Sequence, residues 1–599
     1  MTDWRSRRQV QYPVDNLGQN VPSNRILQVQ EPYALYHINK KLTLEPKITV
    51  NARIVVVGAS DVGLSFLETL SFSPHLHFNN LTLISPQGLP WHSAPDDILD
   101  NMLPQGYYSR TTHEHMSTMT WVNVVKGKMT AIDRENKVVT VMPGVQVAYD
   151  LLVLCCGKQF QMPLPQHGMT PNHVYVLNNE KDCKIAIQAA KSKNEGSIIV
   201  YGASIAAYTS IHALLSLGIE SHHVKLVQPP STYISCFNDP SVDQKVKKAL
   251  QELDVIVYEN CKLVEWNDGH LVEGGDLQSV TFLQGENSVC LECSIFICFD
   301  HMGVDYEAFK AINDCCLVFD GHLVVDADFC TSDCAIRAAG SLTKFSRRYH
   351  ADQWSLGHFN SREVGQKLAF SVLRDYDPIA EQKKTQADDK SPPVLPLFEC
   401  SKVVTATLPG GLSYLHVMPP ALDTPFDVAK QHHHYGRDFV TDVLDAGYFR
   451  IQVDAFSRVR QLTCLTKQHL DINNLVTLYN LNEKYLNSLV SRFDEGLISN
   501  FYSYFQEPWA VAIFHDRFSE FGMDLNQLVS SRSIPSVPSL KERVCGMLKN
   551  DLELPHSERT LLQSDYENSQ MKKLAHQRLL SYLHYNRYHL PMYARPNMV

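Results

Sequence analysis

Nowhere does this 599-residue sequence hold an apolar run approaching the roughly 18–20 residues that a bilayer-spanning helix needs; runs such as Leu151 to Cys156 are strand-sized. With 28 glycines and 30 prolines it has too little of either for a collagen-like or low-complexity chain. Positive charge is in deficit, 54 Lys+Arg against 64 Asp+Glu for a net of −10, which argues against nucleic-acid binding by the chain as a whole. No apolar stretch follows the basic start MTDWRSRRQV, so no secretory signal is expected there. Also missing are a G-x-S-x-G elbow, an H-E-x-x-H pair and a Walker loop. The hydrophobic content of 44% is enough for real cores. At roughly 150 residues per domain the length predicts about four units. The expectation is a soluble, multidomain, intracellular protein.

The fifteen cysteines are consistent with that expectation, because an odd count argues against a complete secreted disulfide framework. Many sit in strand-like runs, including the neighbours Cys155–Cys156 and Cys315–Cys316. Strand neighbours point to opposite faces, so buried free thiols are predicted. Cys290 and Cys293 have redox or zinc spacing, but no second CxxC or CxxH accompanies them.

Strand-like runs alternate with helical segments, predicting βαβ units and parallel sheets. Arg53 to Gly58 (RIVVVG) reads as a buried strand, followed by Asn80 to Ser85, short strands in Trp121 to Val147 and another buried strand at Tyr149 to Gly157. Ser197 to Gly202 (SIIVYG) starts a second strand–turn–helix cycle, with strands at Val224 to Val227 and Cys293 to Phe299. The charged, Pro-containing stretch from Arg374 to Pro396 reads as a linker. Beyond it, hairpins are predicted over Lys402 to Val417 and Tyr448 to Leu465, then a helix over Leu475 to Phe505, a Ser/Pro break at Ser530 to Ser539, and a basic, aromatic tail.

Two glycine turns stand between a strand and a helix, the setting in which a dinucleotide fingerprint is credible. In the first, Gly58 makes the tight turn and Gly63 lets the helix pack on the sheet, while Ser60 stands where the backbone would approach a pyrophosphate. Ser85-Pro86 takes the place of the ribose-binding acid. In the second, Gly202 is followed by Ser204 at the middle position and Ala207 at the third; Gln228 occupies the acid position and no arginine follows for a 2′-phosphate. Both turns are compatible with nucleotide binding and with retention for the fold alone.

Residues from about Arg53 to Leu373 resemble the two-dinucleotide-domain flavoproteins, the pyridine nucleotide-disulfide oxidoreductases. Tyr149-Asp150-Leu151-Leu152-Val153-Leu154-Cys155-Cys156-Gly157 resembles that family's YD-x-L-ATG segment, and Val324-Val325-Asp326, Thr331-Ser332 and Ala338-Ala339-Gly340-Ser341 resemble its VD…TS…AAGD segment. The resemblance implies an α/β fold of two Rossmann-like domains, one inserted in the other, then a smaller α+β domain and a helical tail. It divides the chain into an N-terminal segment 1–50, an FAD-binding-like domain from 51–160 and 301–375, an inserted NAD(P)-binding-like domain 165–300, a linker 376–396, a dimerisation-like domain 397–530, and a flexible segment with a basic C-terminal helix over 531–599. The candidate cofactor-binding residues it implies are Gly58, Ser60, Gly63, Gly157, Gly340, Ser341, Gly202, Ser204 and Ala207, for FAD and NAD(P). The departures fall on the chemistry: Ser341 stands for the aspartate that holds the flavin ribityl chain, and no CxxxxC lies between Ser85 and Asn123.

The whole chain further resembles the C-terminal region of a family of cilia- and flagella-associated proteins. That implies a non-catalytic structural and assembly role in the axoneme of motile cilia and sperm flagella, with no catalytic residue and no metal. The partners implied are subunits of the calmodulin- and spoke-associated complex, radial spoke proteins and calmodulin. The alternative is an FAD- and NAD(P)H-dependent oxidoreductase without a redox disulfide. His432-His433-His434 and His113-Glu114-His115 read as solvated loops. In the tail, Met571, Leu574, Ala575, Leu579, Tyr582 and Leu583 fall near the spacing of one helical face beside Lys572, Lys573 and Arg578, a pattern for packing at home, docking on an acidic partner or lying on a membrane.

Overall fold

Unbroken Val/Ile/Leu runs bounded by glycine fold as strands buried on both faces, and two sets of such runs build two five-stranded parallel sheets. The computed structural model describes residues 47–89, 102–103, 122–163, 170–192, 196–230, 235–269, 275–351, 354–378, 394–420, 424–515, 517–531, 538–547 and 556–586. The described residues up to 480 form one compact unit, and those from 481 onward form another.

In the first unit, β1 (Ile54–Val57) leads through a turn into α1 (Asp61–Ser71), and β2 (Leu81–Ser85), β3 (Val122–Lys126) and β4 (Leu151–Leu154) follow. A second series begins with β5 (Val174–Val176) and β6 (Ile198–Tyr201) and continues with α2 (Ile205–Ser216) and β7 (Val224–Val227). It ends with α3 (Pro240–Glu252), β8 (Ile256–Tyr258) and β9 (Ile295–Cys298). The chain then returns with β10 (Leu323–Val325), β11 (Ile336–Ala338), β12 (Thr343–Phe345) and the long helix α4 (Ser361–Tyr376). The first sheet has the order β11-β4-β1-β2-β3, the second β5-β9-β6-β7-β8, and every pairing in both is parallel. Because β11 joins a sheet whose other strands all precede β5, the second sheet is inserted between parts of the first. The two-Rossmann architecture is therefore present.

Side-chain alternation divides the second sheet's core. Ile198 and Val200 pack on one face with α2, and Ile199 and Tyr201 pack on the other against Trp266, Val280 and Phe282 of an antiparallel ribbon. The predicted hairpins form β13 (Lys402–Leu408) with β14 (Leu412–Met418), and β16 (Gly447–Val453) with β17 (Val459–Thr466); β15 (Arg437–Val443) completes an antiparallel sheet in the order β13-β14-β17-β16-β15. Leu408, Tyr414, Tyr448 and Leu465 of this sheet share the core that α2 and α3 close. At that junction the buried Arg450 places Nε 3.0 Å from the equally buried Asp239, which also accepts from Tyr448.

Two readings need correction. The linker was expected from Arg374, but α4 runs on to Tyr376. The helix expected over Leu475 to Phe505 is four short pieces, Ile472–Thr477, Glu483–Leu486, Leu489–Asp494 and Phe501–Tyr504. The apolar spacing there is real, but Asn480, Asn487 and Ser488 take left-handed backbone conformations, and Asn482 and Asn500 cap new turns, so no helix propagates.

The second unit is helical, with α5 (Phe518–Ser530), α6 (Leu540–Met547), α7 (His556–Glu567) and α8 (Gln570–Asn586). Two of these helices lie in the stretch read as a flexible segment. In α8, Tyr582 is buried, stacks on Phe521 and donates to the Ala512 carbonyl at 2.7 Å. Leu574, Leu579, Leu580 and Leu583 stay exposed. Among the described residues no helix is long and apolar enough to cross a membrane.

Candidate functional site

The C-terminal ends of β1, β4 and β11 bring the first six candidates together. Gly58 has φ +108°, and a Cβ there would lie 2.6 Å from the Cys155 carbonyl oxygen, so the close approach of β1's end to β4's end demands glycine. A Cβ on Gly63 would meet the Gly58 carbonyl at 2.4 Å. Ser60 is the N-cap of α1: its Oγ accepts from the Gly63 N–H at 3.3 Å and donates to the Cys155 carbonyl at 2.8 Å. Gly340 lies against Val62, while Gly157 lies beside Ser341, whose Oγ accepts from the Lys158 N–H at 2.9 Å.

The other three candidates form the matching turn on the second sheet. A Cβ on Gly202 would come 2.8 Å from the Phe299 carbonyl oxygen. Ser204 donates to that carbonyl at 3.4 Å and makes no side-chain cap on α2. Ala207 is fully buried, and the Thr209 and Ser210 hydroxyls donate to the Met102 carbonyl. Gln228, at the acid position, donates to the Tyr208 hydroxyl at 2.8 Å.

Thiol chemistry has little to work with here. Burial pushes the Cys155 thiol up and raises Cys298 and Cys293 to about 12, so these stay protonated at neutral pH and are poor nucleophiles. Cys290 is exposed and donates to Asp268, whereas Cys293 is buried and donates to the Ile295 carbonyl; the CxxC does not act as a pair.

An FAD held as the resemblance implies needs a carboxylate on its ribose, another on its ribityl chain, and free donors at the N-terminus of α1. The residues present do not fit it. Ser85 and Ser341 are uncharged, Ser60 caps the helix with its own hydroxyl, and Asp61 puts a carboxylate in the first turn where a diphosphate would approach. The glycines are accounted for by contacts within the protein itself.

The His432–His434 segment is exposed, and His434 stacks on Phe456; His113-Glu114-His115 lies outside the described residues. Among the described residues the converging metal-type group is Glu220, His222 and His223, which sequence reading passed over. It also passed over Lys158, His322 and His358 near Ser341, a grouping made by strand pairing across the inserted domain and so without a local motif.

This geometry defines an α/β protein of the two-dinucleotide-fold class with altered cofactor turns. The sequence pattern described as pyridine nucleotide-disulphide oxidoreductase matches residues 52–358, just over half of the chain, and the chain belongs to that family. The pattern described as the CFAP61 dimerisation domain matches residues 396–513. A similar curated protein is cilia- and flagella-associated protein 61 of Tetrahymena thermophila, 24% identical over 638 residues; the match covers 82% of this chain but only 37% of that protein. Among solved structures, a chain of the covalent putidaredoxin reductase–putidaredoxin complex is similar, with a TM-score of 0.50, 15% identity, and coverage of 72% of this chain and 93% of that one. At that identity the likeness concerns the fold alone.

Proposed function

We propose that this chain is a non-catalytic structural and assembly component of the axoneme in motile cilia and sperm flagella, using an altered flavoprotein fold as a platform. The observation that carries this reading is the similarity to the ciliary protein over 82% of the chain, running past the oxidoreductase-like part and accompanied by the dimerisation-domain match. The cilia- and flagella-associated role follows from that similarity. The finer reading puts the chain in the calmodulin- and spoke-associated complex at the radial spoke base, with that complex's subunits, radial spoke proteins and calmodulin as partners. The basic helix α8, which keeps four leucines exposed beside Lys572, Lys573 and Arg578, suits an acidic acceptor. The oxidoreductase alternative loses support because the flavin contacts are replaced.

The test joins location to colour. Tagged at its own locus in a ciliated cell, the protein should remain with the axoneme after detergent extraction, and the protein purified from those axonemes should lack stoichiometric flavin absorbance. Recovery in the detergent-soluble fraction would overturn the structural reading. A bound flavin reduced by NADH or NADPH would overturn the non-catalytic one.

A further inference from the structure

We propose that Lys158, His322 and His358, gathered around Ser341, form a binding site for a compact oxyanion of the phosphate class. Three backbone relationships assemble the group. Lys158 directly follows Gly157 beyond the end of β4, and its own N–H donates to Ser341 Oγ at 2.9 Å. A Cβ on Gly357 would lie 3.1 Å from the Ser341 Cβ, so His358, next in the chain, is held on the other flank. The Leu323 N–H donates to the Leu342 carbonyl at 3.0 Å as β10 pairs with β12, which puts His322 beside the same residues.

The electrostatics of this group are incomplete within the protein. Lys158 is partly buried, and among the described residues its ammonium has no carboxylate partner. Lys344 and Arg347 share the single carboxylate of Asp320, each at 2.8 Å, leaving a further excess of positive charge close by. His322 Nε2 is buried without a hydrogen bond. Burial first, then Lys158 and Lys344, lowers the pKa of His322 and favours its neutral form, in which Nε2 donates in the tautomer that carries the proton there. A partly buried cation without a counter-ion and an unsatisfied buried polar atom are each costly, and one bound oxyanion relieves both.

The chemistry favours a tetrahedral oxyanion over a carboxylate. Ser341 Oγ already accepts from Lys158, so its own proton is left to donate. Lys158, Ser341, His322 and His358 come from different segments that meet near Ser341, and phosphate presents acceptors in all directions where a carboxylate presents them in one plane. The place is also apt, since α/β folds bind ligands beyond the carboxyl ends of parallel strands. This proposal stands apart from the ciliary reading and concerns a free small ligand.

Thermal melts of the full chain test it, with inorganic phosphate, ribose 5-phosphate, FAD or chloride at matched ionic strength. Phosphate should raise the melting temperature where chloride does not. Lys158→Met and Ser341→Asp should each weaken the apparent affinity about tenfold or more, as expected for loss of a charge-assisted hydrogen bond. Lys262→Met, on the exposed face of a strand in the antiparallel ribbon, should keep the full response. A larger response to ribose 5-phosphate than to inorganic phosphate would assign the site to a phosphate monoester, and equal responses to phosphate itself. No phosphate response in the native chain, an undiminished response in Lys158→Met, or a response to FAD alone would each overturn the site.

Discussion

The two glycine turns share one backbone solution and differ in how the helix behind them is held. In both, the first glycine lets a strand end press against a neighbouring carbonyl, Cys155 for Gly58 and Phe299 for Gly202. In the first turn Ser60 both caps α1 and ties it to β4, Asp61 lies in the first helical turn, and Ser65 of α1 donates to the Arg362 carbonyl of α4 at 2.7 Å. In the second, Ser204 reaches its carbonyl only at 3.4 Å, caps nothing, and no acid follows in the first turn. The first turn is therefore closed by the chain itself, and the second is the less committed. A fingerprint glycine thus has two separable causes, approach of a pyrophosphate and approach of the protein's own backbone. The residue between the glycines and the charge behind them distinguish the two.

The most severe challenge to this contrast is a methyl group added at each turn. Gly58→Ala brings a Cβ against backbone at 2.6 Å and Gly202→Ala at 2.8 Å, with a positive φ in both. Each should cost about 3–5 kcal/mol in chemical denaturation, with Gly58→Ala at the upper end, because a displaced strand end is not relieved by turning a side chain. A loss below about 1 kcal/mol at Gly58 would mean that the turn can relax, and that its glycine is there for a ligand after all.

The thiols beneath the turns provide a second probe. Burial raises Cys155 under the first turn and takes Cys298, under the second, from 9.0 to about 12. A thiol raised in the folded state favours folding while it stays protonated. For Cys298 that contribution is complete below pH 9 and is lost as pH climbs through about 12. Denaturation midpoints should therefore fall on going from pH 8 to pH 10.5, and Cys155→Ala and Cys298→Ala should each make the fall shallower. Declines that run parallel to the native one would show that neither thiol is titrating in the unfolded chain alone.

Legibility in the sequence followed the range of the interaction. β1, β4, β6 and β9 were readable because burial on both faces writes an unbroken apolar run, and the hairpin β16–β17 because its turn residues are local. The insertion of the second sheet into the first was readable through the resemblance of the Ala338–Ser341 segment to a returning flavin domain. The breaks near Asn480 and Asn487 were not, since the apolar spacing around them is helical and the left-handed conformations come from asparagine turns that spacing does not register. At the site, the glycines and serines were found by motif. Lys158, His322 and His358 were missed because they lie on separate segments that only strand pairing brings to Ser341. The buried Arg450–Asp239 pair was equally hidden, two charged residues more than 200 positions apart whose partnership no local pattern announces.

The smallest expected effect separates the turns most cleanly. Ser60→Ala removes an oxygen that accepts from Gly63 N–H and donates to the Cys155 carbonyl, so a helix cap and a strand tether are lost together. An N-cap serine replaced by alanine costs about 1 kcal/mol. Ser204→Ala removes only a long contact to the Phe299 carbonyl and no cap, so it should cost a few tenths of a kcal/mol, within the range of an ordinary surface substitution. Matched denaturation curves of the two variants measure the difference directly, and the double variant should show the two losses simply adding, because the serines act on different sheets. Equal losses at the two positions would mean that the second serine holds its helix as firmly as the first, and the contrast between a closed and an uncommitted turn would fall with it.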